Sequence, residues 1–169
     1  MTVAQHRKNK NLDLLIRAYG TLHRRDQLQA KLLIVGSSGP ETERLTQLVT
    51  ELTLENQELL LSGLSDGELR WLYENASLFV IPSATEGFCL PLVEALTLAC
   101  PAVCSDIPIF REVGSSQCRY FSLAHRDSSH LADAMATALS DASCQTQTTD
   151  NRFSKSTISQ QLLDFYRLF

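Results

Sequence analysis

Short apolar runs of strand length alternate with stretches of helical periodicity along the chain, and its 169 residues are about one core's worth of polypeptide. These two features predict an α/β fold, a Rossmann-like doubly wound parallel sheet. With 44% apolar and 20% charged residues, and only 7 Gly and 5 Pro, low-complexity disorder is excluded.

The first strand spans only residues 1–4, shorter than the usual strand of about five residues, so the chain reads as one that begins inside an element. Over residues 11–24, Leu12, Leu15, Ile16, Tyr19 and Leu22 recur at three- and four-residue steps and mark one face of a helix. Residues 31–36, with Leu32-Leu-Ile-Val at their centre, form an apolar run closed by Ser-Ser-Gly-Pro, a strand buried on both faces. Leu45, Leu48, Val49 and Leu52 restore helical spacing over residues 41–54, and residues 59–62 are again strand-like. Ser65 and Glu68 have capping-box spacing and should start a helix through Trp71 and Tyr73, both taken as core or groove residues. Residues 78–81 form a strand, 82–90 a loop, 91–98 a helix with Pro91 in its first turn, and 102–104 a further strand. A turn or short helix around Phe110, a strand at 119–121, a helix over 129–139 and a last helix from about Thr157 complete the series. We expect a domain over residues 1–142, a polar linker over 143–155, and a C-terminal amphipathic helix over 156–169 that packs on the domain or on a partner domain.

Fifteen Lys and Arg against 19 Asp and Glu leave a net charge of −4, which argues against nucleic acid or an anionic membrane surface as the main partner. Cys89, Cys100, Cys104, Cys118 and Cys144 are odd in number and contain no Cys-x-x-Cys pair, so reduced thiols are expected, with no disulfide framework and no zinc. No transmembrane or signal-peptide stretch is found, and the location expected is cytoplasmic.

In a doubly wound sheet, ligands bind beyond the carboxyl ends of the strands, which directs attention to the loops near residues 5–10, 36–40, 62–65, 82–90 and 105–108. Glu86 falls in a loop after a strand and Glu94 in the second turn of the next helix. With Leu92, Val93, Ala95, Leu96 and Leu98 around it, Glu94 is expected to be buried, satisfied by a polyhydroxyl ligand or by a backbone amide or basic side chain. Gly87 lets a ligand approach the backbone, and the amides of Phe88, Cys89 and Leu90 lead into a helix N-terminus suited to a diphosphate; the alternative is an ordinary strand-to-helix loop. Arg7, Lys8 and Lys10 sit at the same edge, where they would neutralise a departing phosphate or form a solvated basic loop. His6 is assigned to that solvated loop, His23 and His125 to the surface, and His130 to a helix start.

The ordered series Lys10-Asn11, Leu32-Leu-Ile-Val-Gly36, Ser62-Gly63, Leu72-Tyr73 with Ala76, Phe79-Val-Ile-Pro-Ser83, Glu86-Gly-Phe-Cys-Leu-Pro-Leu-Val-Glu94, Ser105-Asp-Ile-Pro108 and Arg111-Glu-Val113 resembles the C-terminal, donor-binding domain of the retaining glycosyltransferases of family 4. The resemblance covers nearly the whole chain. It implies one half of a two-domain GT-B enzyme that transfers a hexosyl group from a UDP-, GDP- or ADP-sugar to a sugar or lipid-linked acceptor, without a metal or other cofactor. On that pattern Glu86 and the backbone from Gly87 to Leu90 hold the sugar and phosphates. Glu94 holds the ribose diol, Lys10 the diphosphate, Gly63 and Leu64 the base, and Gly36 the nucleoside, while the family's second phosphate cation is missing or supplied by Arg7 or Lys8. The family's Gly-Arg pair is Ala4-Gln5 here, and two of its glycines are Cys89 and Cys100. The resemblance also implies an acceptor-binding N-terminal domain or separate subunit, through which the enzyme would be peripheral to a membrane. The other reading is a truncated or split-enzyme module that binds nucleotide sugar without activity of its own. A dinucleotide-dependent oxidoreductase is disfavoured, because no strand is followed by Gly-x-Gly-x-x-Gly.

Overall fold

The structure, a computed structural model, describes residues 1–25, 28, 30–124, 127–141 and 151–167. The expectations for His125, Cys144, Phe169, the last residue of the 1–142 domain and residues 143–150 of the linker lie outside the described residues.

Among the described residues six strands alternate with helices: β1 (Thr2–Val3), α1 (Leu12–Arg24), β2 (Leu32–Val35), α2 (Thr42–Glu51), β3 (Glu58–Leu61), α3 (Asp66–Asn75), β4 (Phe79–Ile81), α4 (Leu90–Thr97), β5 (Ala102–Ser105), α5 (Pro108–Gly114), β6 (Cys118–Phe121) and α6 (Ser128–Ser140), followed by α7 (Lys155–Tyr166). The strands form two parallel three-stranded sheets, β1-β2-β3 and β4-β5-β6, with Thr2 in register with Ile34 and Phe79 with Ala102. Met1 joins them: its amine donates to the Leu78 carbonyl at 2.6 Å, and the Val80 amide donates to the Met1 carbonyl at 2.9 Å. The strand order across the join is therefore β3-β2-β1-β4-β5-β6, which reverses direction between β1 and β4.

Alternation along each strand makes two cores. Ile34, Val80 and Val103 face one, beside Leu15, Ile16 and Leu22 of α1, Leu45 of α2 and Leu131 of α6. Val35, Phe79, Ile81, Ala102 and Cys104 face the other, beside Tyr73 of α3, Leu92 and Leu96 of α4, and Phe110 and Val113 of α5. β2 and β4 are thus apolar throughout because both of their faces are covered.

Helix starts follow the sequence signals. The Ser65–Glu68 capping box is present, and Ser154 caps α7 through the Thr157 amide. Helix stops depart from them. Thr53 and Ala99 take left-handed φ values of 59° and 56°, and the Leu54 and Cys100 amides then bond back to the Val49 and Ala95 carbonyls. These are Schellman ends without the usual glycine, so α2 stops at Glu51 and not near residue 54.

No residue of α7 is buried; Ile158, Leu162, Leu163, Phe165 and Tyr166 are all exposed. Its root is held instead, by Phe153 packed edge-on against Phe88 with ring centroids 5.3 Å apart and by an Arg152 Nη2 bond to the Val113 carbonyl at 2.6 Å. Trp71 is 60% exposed, contrary to its expected place in a core or groove, because α3 turns the buried Tyr73 inward and leaves Trp71 on its outer side.

Candidate functional site

The groove forms where the strand order reverses. Past β1 the Ala4 amide donates to the Val35 carbonyl at 2.8 Å, and a β-carbon on Gly36 would collide with the Ala4 carbonyl. Glycine is required there by close approach. The chain then makes a 3-10 turn over Lys8–Lys10 and enters α1 through Asn11, which has a left-handed φ of 48°.

Two asparagines stitch this loop to the loop after β4. Asn11 Nδ2 donates to the Pro82 carbonyl at 2.8 Å, Asn9 Nδ2 donates to the Thr85 carbonyl at 3.2 Å, and the Ala84 amide donates to the Asn9 carbonyl at 2.8 Å. The stitching sets Lys10 Nζ 2.6 Å from Glu86 Oε1, a pair whose side chains are only 21% and 11% exposed. Beside it, Ala4, Gln5, Arg7, Lys10, Gly36 and Pro91 line an open groove of about 490 Å³. Pro91 belongs to the first turn of α4, so the positive end of that helix opens on the groove. The amides of Gly87, Phe88 and Cys89 make no backbone bond among the described residues.

Cys89 precedes α4 at a left-handed φ of 70°. Burial pushes its thiol up to about 12; the Leu92 amide opposes that shift, while the Glu86 and Glu94 carboxylates add to it and the Lys10 ammonium offsets it. The same thiol thus lies in the field of Lys10 and of both acids.

Glu94 is exposed, not buried as its sequence neighbours suggested. It sits two residues beyond the buried Leu92, about 200° around the helix and so on the opposite side. Its Oε2 accepts a bond from the Tyr73 hydroxyl at 2.9 Å. His6 is likewise corrected: it is 3% exposed, not solvated, because the 36–42 loop closes over it. The His6 amide donates to Ser37, the Glu41 amide donates to the His6 carbonyl, and Nδ1 meets Thr42 Oγ1 at 2.9 Å. Burial lowers the His6 pKa, and its Nε2 has no hydrogen-bond partner among the described residues.

The structure therefore brings Arg7, Lys10 and Gly36 onto one groove, with Glu86 bound to Lys10 and Cys89 close by. Gly63, with a φ of 69°, and the half-buried Leu64 follow β3; the Gly36 amide, bonded to the Leu61 carbonyl at 2.9 Å, ties the groove to that strand end, although neither residue lines it. Phe88 on the loop and Leu90 at the start of α4 are exposed. Asn9, Asn11 and Tyr73 build the site without having been singled out for it. An asparagine ahead of a helix is a signal for Asn11, since this residue type tolerates left-handed backbone, but nothing local marks its long-range partner. Among the described residues no three His, Cys, Asp or Glu side chains gather as a metal site would need, and no helix is long and apolar enough to cross a membrane.

The family described as "Glycosyl transferases group 1" matches residues 1–159. The O-antigen chain mannosyltransferase B of Escherichia coli is 38% identical over 104 residues, 62% of this chain and 27% of that protein. The O-antigen chain mannosyltransferase RfbU of Salmonella typhimurium is 39% identical over 82 residues, 48% of this chain and 23% of that protein. Anabaena HepE, solved in complex with UDP and glucose, superposes with a TM-score of 0.80 at 22% identity, over 99% of this chain and 48% of that one. The chain thus spans about a quarter of the length of these curated relatives and about half of the solved one, and its fold is that of one GT-B half. By a family match over nearly its whole length, the chain belongs to the glycosyl transferases group 1.

Proposed function

We propose that this chain is a nucleotide-sugar-binding module, the donor half of a retaining hexosyltransferase whose turnover requires an acceptor-binding half. The observation that carries the reading is the groove at the β1–β4 reversal, where Lys10 and Arg7 meet the N-terminal end of α4 and Glu86. A diphosphate fits cations and free amides, and sugar hydroxyls fit a carboxylate. Glu94 uses one oxygen for Tyr73 and takes a ribose hydroxyl from solvent on the other. Gly63 and Leu64 form the base side, and Gly36 leaves room for the nucleoside.

In the reaction so proposed, the bond between the anomeric carbon and the phosphate oxygen breaks, and the nucleoside diphosphate leaves with the electron pair. The acceptor oxygen bonds the same face of that carbon and gives its hydroxyl proton to the departing phosphate oxygen. Lys10 and Arg7 stabilise the charge on the leaving group, the α4 dipole adds to them, and Glu86 holds the sugar in place. The mannosyltransferase relatives and the UDP- and glucose-bound structure agree with a hexosyl donor. A cytoplasmic location, peripheral to a membrane through the acceptor half, belongs to the same proposal.

Calorimetric titration with UDP, GDP, ADP and their sugar conjugates tests the reading. Saturable binding of one nucleotide sugar is expected, weakened at least tenfold in Glu94→Ala, the loss of a hydrogen bond to a charged group being about that large. Absence of binding by every conjugate contradicts it.

A further inference from the structure

We propose that the Lys10–Glu86 pair is a competitor built into the donor groove, one that makes the site hold a sugar-loaded nucleotide and shed the free nucleoside diphosphate. The inference rests on the donor-site reading above and adds a selectivity that the reading does not contain. The cation at the groove is engaged within the chain itself, Lys10 Nζ lying 2.6 Å from Glu86 Oε1.

A diphosphate that draws Lys10 to itself leaves Glu86 behind. That carboxylate is only 11% exposed, so water replaces its lost partner poorly, and the arriving phosphates set further negative charge beside it. Among the described residues no side chain other than Lys10 bonds Glu86. The Cys89 thiol stays neutral at physiological pH, its pKa raised by burial, and the Asn9 side-chain amide donates to the Thr85 carbonyl and not to Glu86. Arg7 is exposed on the groove and offers the phosphates a first charge, but it forms no bond to Glu86.

A sugar on the terminal phosphate changes the balance. Its hydroxyls donate to Glu86 as Lys10 turns away, so the carboxylate keeps its hydrogen bonds while the phosphates gain the ammonium. Free nucleotide meets an unpaired acid and the conjugate does not, which is selectivity by a built-in repulsion. After transfer the same repulsion expels the product nucleotide.

The test is calorimetry of the chain and of Glu86→Gln with UDP, GDP and ADP, each beside UDP-glucose, GDP-mannose and ADP-glucose. The amide keeps the shape of the side chain without the charge that holds Lys10. Free nucleotide is expected to bind Glu86→Gln more tightly by on the order of tenfold, with no tightening of the conjugate, so the preference for the conjugate falls by that factor. The proposal is overturned if free nucleotide binds Glu86→Gln no better than the parent, or if both ligands tighten equally. Binding by neither protein removes the donor-site reading and this inference together; binding with an unchanged preference removes this inference alone. Glu86→Asp, with the charge kept and drawn back by one methylene, is the second variant should the amide not fold, and is expected to lower the preference by a smaller factor.

Discussion

Cys89 shows how much one residue of the groove is asked to satisfy. It holds a backbone conformation that favours glycine, starts a helix without a side-chain cap, and places its thiol in the field of two acids and one ammonium. Burial raises the thiol pKa to about 12, which has a kinetic consequence because only the thiolate is alkylated. At pH 8.5 about one molecule in a few thousand carries the thiolate at Cys89, against a large fraction for an ordinary thiol. Iodoacetamide is therefore expected to leave Cys89 unmodified in the native protein at pH 8.5, with a labelling rate that climbs as pH rises toward 12. Labelling at the rate of an unfolded thiol, read by peptide mass spectrometry, would refute the burial argument. Residue-scale reading of the sequence puts Glu94 inside and His6 outside, and the structure reverses both. Both errors came from judging burial by neighbours in sequence: helix rotation carries Glu94 away from Leu92, and a loop 30 residues on covers His6.

Elements were legible where their signals are local. The apolar runs that become β2, β4 and β5 and the capping box of α3 all appear at their expected places, within a residue or two. Helix ends at Thr53 and Ala99 were not, because a Schellman end normally announces itself by glycine and these two do not. The Lys10–Glu86 contact spans 76 positions and depends on Asn9 and Asn11 tying two loops together, so no periodicity or spacing encodes it. Helix α7 has amphipathic spacing but no buried residue, and its apolar side chains stand free of both cores. Leu162→Asp is accordingly expected to change the stability of the chain by less than about 0.5 kcal/mol in urea unfolding, the range of ordinary surface substitutions. A loss of about 2 kcal/mol or more, the cost of a core residue, would show that α7 packs on the domain.

At the scale of the molecule, the reversal of strand order does most to create a site. β1 and β4 run side by side, and their connections leave in opposite directions, opening a crevice at the carboxyl edge. Two helices enter from that edge: α1, led by the basic loop, and α4, whose amino end faces it. This geometry gathers Arg7, Lys10 and the amino end of α4 on one groove, with Glu86 paired to Lys10, in a chain whose net charge is −4. Fold class and strand sequence follow from alternation alone, whereas the crevice needs the spatial order of the strands, which alternation does not specify. A crystal structure of the chain with UDP-glucose, GDP-mannose or ADP-glucose bound tests the central claim most directly. The account predicts the phosphates within hydrogen-bond distance of Lys10 Nζ and the amides leading into α4; a nucleotide seated at the opposite edge of the sheet, with Lys10 still on Glu86, would contradict it.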